Sequence, residues 1–179
     1  MHPGQMHRAL FLDRDGTVIE DRGYMRAAED VVLLPGAAEV LPKLAQEGWK
    51  LIVISNQSGV GRGIISRSEM QAVQTRFLEV ASAAGIPITG SYFCPHTPGD
   101  NCICRKPSAW LLQEAARDHN IDLNASFMIG DRNSDIFCGK NAGCATIWLR
   151  NLMFSVEPNL PTHTAANWQE IDRLISGAR

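Results

Sequence analysis

Two carboxylates, Asp13 and Asp15, stand one residue apart in the string Asp13-Arg14-Asp15-Gly16-Thr17. Like charges this close repel unless a cation or a shared proton offsets them. The run before them, Ala9-Leu10-Phe11-Leu12, is uninterrupted apolar, as expected for a strand buried on both faces of a parallel sheet. Ligand sites in open α/β sheets lie off the carboxyl ends of the strands. The pair therefore points to a metal-assisted site, with one carboxylate as nucleophile and the other as acid/base. An acidic turn, a helix N-cap or a Ca²⁺ loop uses the same spelling, and on this string alone each stays open.

Two further strand-like runs end in polar strings. Leu51-Ile52-Val53-Ile54 leads into Ser55-Asn56-Gln57-Ser58-Gly59, and Phe127-Met128-Ile129 leads into Gly130-Asp131-Arg132-Asn133-Ser134-Asp135. Arg105-Lys106-Pro107 lies between them. Each string has a bland reading. Ser55 could be an N-cap, Lys106 a solvated lysine, and Asp131 and Asp135 acids that complement a helix N-terminus. The ordered set of a carboxylate pair, a hydroxyl, a lysine and a second acidic pair makes those readings jointly hard to sustain.

A second constellation is Cys94-Pro95-His96-Thr97-Pro98-Gly99-Asp100-Asn101-Cys102-Ile103-Cys104. Cys94, His96, Cys102 and Cys104 have the ligand count and softness of a closed tetrahedral Zn²⁺ site. Catalytic zinc keeps an open position, so a Cys₃His set reads as structural. The alternative is buried cysteines beside a surface histidine. The loop has too little apolar content to fold alone, and zinc would rigidify it. Arg105 and Lys106 follow the last cysteine directly, so the clip would fix their backbone.

The four ordered motifs resemble those of the haloacid dehalogenase superfamily of phosphatases, from about Ala9 to Leu149. The resemblance implies that Asp13 is the nucleophile and forms an aspartyl-phosphate, and that Asp15 protonates the leaving oxygen and then activates water. It implies Mg²⁺ on Asp13, the backbone carbonyl of Asp15, and Asp131. Ser55 and Lys106 would hold the transferring oxygens, with Asp135 and Arg132 supporting. The zinc loop and the Arg-Lys-Pro after it are similar to the branch that contains heptose 1,7-bisphosphate 7-phosphatases and histidinol-phosphate phosphatases.

The strings Glu20-Asp21-Arg22-Gly23-Tyr24 and Asn56-Gln57-Ser58-Gly59-Val60-Gly61-Arg62-Gly63 favour the heptose enzymes. In that family Asp21, Arg22, Gly23, Tyr24, Asn56, Gln57 and Ser58 fall where the sugar is contacted. Arg105 falls where the second phosphate is recognised. The implied reaction removes the C7 phosphate on the route to nucleotide-activated heptose, a lipopolysaccharide precursor. Histidinol phosphate is the alternative substrate. A polynucleotide 3′-phosphatase or a zinc-stabilised binding module without catalysis stands further off. One departure is Arg150-Asn151-Leu152-Met153-Phe154, where the family often has a Thr-Gly-x-Gly turn. That segment reads as core packing or as an apolar surface for a partner.

The elements that must position these groups alternate between strand and helix, which implies a Rossmann-like three-layer α/β fold. A parallel sheet would carry helices on both faces. Helices are predicted from Pro35-Gly36 to near Gly48, with an irregularity at Pro42, and from a Ser66–Glu69 capping box to about Ala84. Others run from Pro107-Ser108 to about His119, from Ser134 to Ala142, and from an Asn167 cap to about Ile175. Further strands are Thr89–Cys94 and Ala145–Leu149. Neither the stretch from Asp13 to Ser55 nor that from Ser55 to Lys106 has room for a separate cap domain, so the site should be open.

At 179 residues the chain fits one domain, expected over 8–179 with a disordered tail over 1–7 and the zinc loop at 94–104 as an insertion. A net charge of −2 offers no strong positive field for nucleic acid. No apolar run is of membrane-spanning length, and the polar start lacks the core of a secretory leader. Five cysteines, an odd count, suit a reducing cytoplasm better than a disulfide framework. The expected partner is a small phosphosugar, met by a monomer.

Overall fold

The computed structural model describes residues 6–157 and 159–177. Its centre is a parallel sheet of six strands: β1 (Ala9–Leu12), β2 (Lys50–Asn56), β3 (Ile88–Cys94), β4 (Phe127–Gly130), β5 (Ala145–Leu149) and β6 (His163–Ala165). The spatial order is β3-β2-β1-β4-β5-β6. Six helices flank it: α1 (Ala37–Gln46), α2 (Ser58–Gly61), α3 (Arg67–Ala83), α4 (Trp110–His119), α5 (Asn133–Ala142) and α6 (Trp168–Gly177). The expected α/β architecture without a cap domain is borne out, since the intervals after β1 and β2 hold only loops and α1 to α3.

The uninterrupted apolar strands follow from burial on both faces. Leu10 and Leu12 pack with α1, α3 and α6 in one core, while Ala9 and Phe11 pack with α4 and α5 in the other. All four are fully buried, and each large side chain contributes roughly 1.5–3 kcal/mol of transfer free energy. The chain winds from β1 outward to β3, then returns to β4 and winds the other way. That reversal opens a crevice between the carboxyl ends of β1 and β4, where such folds bind ligands. Asp13 and Asp131 are the first residues past those two strand ends.

Local signals hold where chemistry dictates them. The Ser66 hydroxyl accepts from the Glu69 amide at 3.1 Å and the Glu69 carboxylate accepts from the Ser66 amide at 2.7 Å, closing the capping box of α3. Asn167 Oδ1 accepts from the Glu170 amide at 2.9 Å and caps α6. Helix α1 runs through Pro42 without a break, its Leu41 and Leu44 anchored in the core. Helix α4 starts at Trp110, later than Pro107-Ser108 suggests, with Ala109 at its N-cap and Ser108 Oγ accepting from the Trp110 amide at 3.2 Å.

Two elements escape the sequence. The strand β6 is His163-Thr164-Ala165, too short and polar to show alternation, and it pairs with β5. Helix α2 is Ser-Gly-Val-Gly, a composition that reads as loop. Of the expected tail, residues 1–5 lie outside the described residues. His7 is held instead, its amide donating to the Asn120 carbonyl at 2.8 Å beside a bridge to Ile121. Among the described residues no helix is long and apolar enough to cross a membrane.

Candidate active site and metal centres

The crevice at the β1–β4 switch point holds a buried charge cluster. Lys106 Nζ lies 2.6 Å from Asp13 Oδ1 and 2.7 Å from Asp135 Oδ1, and donates to the Ile54 carbonyl at 2.8 Å. All three ammonium donors are thus used. Burial alone would lower the Lys106 pKa, but Asp13 and Asp135 outweigh it and raise it. Burial pushes Asp13 well above the ordinary carboxylate range, Lys106 opposes, and Asp135 and Asp131 add to the rise. Burial, then Asp135, lifts Asp131 to about 6. Three carboxylates gather around one lysine, and one divalent cation would balance the remainder.

Asp13, Asp131 and Asp135 each place an oxygen within 4.8 Å of the others, a candidate metal centre. Asp135 has both oxygens committed: Oδ1 to Lys106, and Oδ2 to the Arg132 amide at 3.0 Å. That agrees with a supporting role in orienting the loop. Asp131 is different. Its Oδ2 accepts from Asn151 Nδ2 at 2.7 Å, while its Oδ1 is buried without a hydrogen-bond partner. A buried orphan carboxylate oxygen is costly unless something outside the chain meets it. The hard oxygen donors suit Mg²⁺ rather than a softer ion. Gly16 is required beside them, since a Cβ there would fall 2.4 Å from Asp131 Oδ2. Gly130 is required for the same reason, a Cβ there falling 2.3 Å from Asp135 Cβ.

Asp15 is held in a second network. Arg14 grips both its oxygens, Nε to Oδ1 at 3.1 Å and Nη2 to Oδ2 at 3.0 Å. Gln57 Nε2 bridges Asp15 Oδ2 and Ser55 Oγ, both at 2.7 Å. Arg14 is only 2 % exposed and continues through Gln74 Oε1, at 3.1 Å, to Ser91. Sequence reasoning missed Arg14. The signal was present: an arginine between two acids at the end of a buried strand has to find its partners inside.

Of the residues expected to contact substrate, Asp21, Gly23, Tyr24, Asn56, Gln57, Ser58 and Arg105 line one cleft of about 200 Å³ with Asp13, Asp15, Lys106 and Arg132. Arg22 does not line it. Its guanidinium pairs with Glu20 and Asp30 on the exposed side of the loop. Arg62 is exposed and outside the lining. Asn56 holds the Lys106 backbone from both sides, Nδ2 to its carbonyl and Oδ1 from its amide, each at 3.1 Å. Asp21 accepts from Arg132 Nη2 at 2.7 Å, and Arg132 lies 4.0 Å over the Phe154 ring. The 150–154 segment is therefore neither simple core nor a uniform apolar surface. Leu152 and Met153 are exposed, while Asn151 and Phe154 turn inward to support the site.

The Cys94, His96, Cys102 and Cys104 ligand atoms also lie within 4.8 Å of one another. Their sulfur–sulfur distances are 3.0, 3.5 and 3.7 Å, and His96 Nδ1 is 3.5 and 3.3 Å from Cys94 and Cys104. A tetrahedral zinc with ordinary bond lengths needs edges of about 3.8 Å between sulfurs and about 3.5 Å from nitrogen to sulfur. Burial pushes Cys94 up, whereas at Cys102 it is outweighed by hydrogen bonds to Cys94 and the Arg105 backbone, which bring the thiol down to about 7. Arg105 Nη1 donates to the His96 carbonyl at 3.1 Å, which ties the cleft arginine to this quartet.

A HAD-hydrolase-like family model matches residues 103–166. The chain is 42% identical over 171 residues to the D-glycero-beta-D-manno-heptose-1,7-bisphosphate 7-phosphatase of Helicobacter pylori, covering 94% of this chain and 96% of the relative. It is 38% identical over 144 residues to the enzyme of that name from Pasteurella multocida, covering 76% and 78%. A solved D,D-heptose 1,7-bisphosphate phosphatase from B. bronchiseptica, complexed with magnesium and phosphate, shares the fold with a TM-score of 0.84 at 24% identity, over 96% of this chain and 99% of that one. These likenesses show that the chain belongs to the D-glycero-D-manno-heptose-1,7-bisphosphate 7-phosphatase family of HAD-like phosphatases.

Proposed function

We propose that the chain hydrolyses the C7 phosphate of D-glycero-D-manno-heptose 1,7-bisphosphate through a phosphoryl group carried on Asp13. The observation that carries this reading is the cleft itself. Its floor presents Asp13 beside Lys106, and its walls carry two further cations, Arg105 and Arg132, where a second anion can be met. Asp13 attacks phosphorus in line with the departing C7 oxygen. As negative charge moves from Asp13 to the phosphoryl oxygens, the Lys106 hydrogen bond follows it, and the Ser55 hydroxyl donates to another of those oxygens. Asp15, oriented by Arg14 and Gln57, gives its proton to the leaving oxygen and takes one back from the water that cleaves the acyl-phosphate.

Asp13, Asp131 and the Asp15 backbone carbonyl are the oxygen ligands assigned to Mg²⁺. When bound there it offsets the charge of carboxylate and phosphate together. The Cys₃His quartet is assigned to a structural Zn²⁺ that fixes the Arg105-Lys106 backbone.

Arg105 and Lys106 give the test. Arg105→Ala is expected to lose roughly ten- to a hundredfold in kcat/KM on the bisphosphate, the worth of one charge-assisted hydrogen bond, and far less on a sugar 7-phosphate lacking the distal group. Lys106→Ala is expected to impair both substrates alike, because it meets the group that every substrate transfers. Equal losses for Arg105→Ala on both substrates would place Arg105 in the catalytic shell and remove the support for a bisphosphate. Histidinol phosphate, with one phosphate and a cationic amine, is the comparison substrate for that outcome.

A further inference from the structure

We propose that Asn151 is a positioning residue that fixes which oxygen of Asp131 faces the metal centre. The assignment rests on the reading of Asp131 as a metal ligand. Asn151 lies just past β5, and the register Gly130↔Trp148 sets the end of β5 beside the end of β4. From there Asn151 Nδ2 donates to Asp131 Oδ2 at 2.7 Å. The Trp148 indole, from the same strand, donates to the Asp131 carbonyl at 3.2 Å. Gly16 packs against the same Oδ2, leaving no room for a Cβ. One oxygen is thus held from the β5 side, and the other is buried with no hydrogen bond. Arg132 Nε stands 3.9 Å from that oxygen, beyond hydrogen-bond reach. A carboxylate held this way offers a single oxygen in a fixed direction, which is what a partner outside the metal's first shell supplies.

The second half of the Asn151 amide explains how it is held. Its Oδ1 accepts from the amides of Met153 and Phe154, both at 2.9 Å, so the side chain closes its own turn. With both ends bound, the amide cannot flip without losing three hydrogen bonds. The same turn seats Phe154 under the Arg132 guanidinium, which reaches Asp21 in the cleft. Asn151 therefore joins the metal side of the site to the wall that faces the substrate.

Two substitutions separate the role in the turn from the role toward the metal. Asn151→Ser keeps a short acceptor for the Met153 and Phe154 amides but is too short to donate to Asp131. Asn151→Ala removes both. Chain freed of Mg²⁺ is titrated with Mn²⁺ alone, and free Mn²⁺ is read by electron paramagnetic resonance, with Asp131→Asn as the reference for a lost ligand. Both Asn151 variants are expected to bind Mn²⁺ roughly ten- to a hundredfold more weakly than the unmodified chain. Asn151→Ser should do so with a smaller fall in melting temperature than Asn151→Ala, since it keeps the turn, and with kcat recovered at saturating metal. Unmodified Mn²⁺ affinity in Asn151→Ser would overturn the assignment and leave Asn151 a turn cap. An unmodified chain that binds Mn²⁺ no better than Asp131→Asn would instead remove the metal reading itself, and this assignment with it.

Discussion

Asp13→Asn should abolish turnover, by roughly a thousandfold or more, and leave the fold intact. Only a carboxylate can attack phosphorus to give an acyl-phosphate, and no neighbouring group replaces it: Asp135 has both oxygens engaged and Asp131 is held from the β5 side. The electrostatics run the other way for stability. Burial and two like charges already disfavour the charged form of Asp13. A neutral amide of the same shape relieves that cost, and Lys106 keeps Asp135 as its counter-ion at 2.7 Å. The melting temperature of Asp13→Asn is therefore expected to match or exceed that of the unmodified chain. Phosphate release measured beside a thermal melt checks both. Residual activity above a few percent would sink the nucleophile assignment, and a variant that does not fold would make Asp13 structural.

Loss of the Cys₃His metal has the second large effect. The purified chain should carry about one equivalent of Zn²⁺, independent of added Mg²⁺. Cys102→Ser should lose that zinc. With metal binding counted as folding free energy of roughly 3 kcal/mol or more in this loop, the melting temperature should fall by about 10 °C. Activity should fall with it, because Arg105 hangs on the His96 carbonyl and Lys106 follows on the same backbone. Elemental analysis and a thermal melt measure the two halves. A zinc-free chain with unchanged melting temperature and turnover would remove the structural clip.

What the sequence makes legible is what burial and backbone order impose. Strands β1, β2 and β4 are continuous apolar runs because both their faces are covered. Asp13, Ser55 and Asp131 are readable because each sits at the end of such a run. The Cys94-His96-Cys102-Cys104 quartet is readable because its members fall close together in the chain, from the end of β3 into the loop that follows. Contacts made across the sheet are not legible in this way. Asn151 reaches Asp131 through the pairing of β4 with β5, and nothing in the string Arg150-Asn151-Leu152 announces that register. The Arg14–Gln74–Ser91 chain joins β1, α3 and β3, three segments with no motif in common. Arg22 shows the reverse. It sits inside a recognisable string, yet Glu20 and Asp30 lie close in sequence and take its guanidinium outward.

We assign to this cleft the removal of one particular phosphate from a bisphosphate. Phosphorus NMR of D-glycero-D-manno-heptose 1,7-bisphosphate, incubated with the chain and Mg²⁺, tests it on both anomers. The expected record is loss of the C7 resonance, one equivalent of inorganic phosphate, and a surviving anomeric phosphate. Loss of the anomeric phosphate first, or a bisphosphate left intact while histidinol phosphate is hydrolysed, would contradict it.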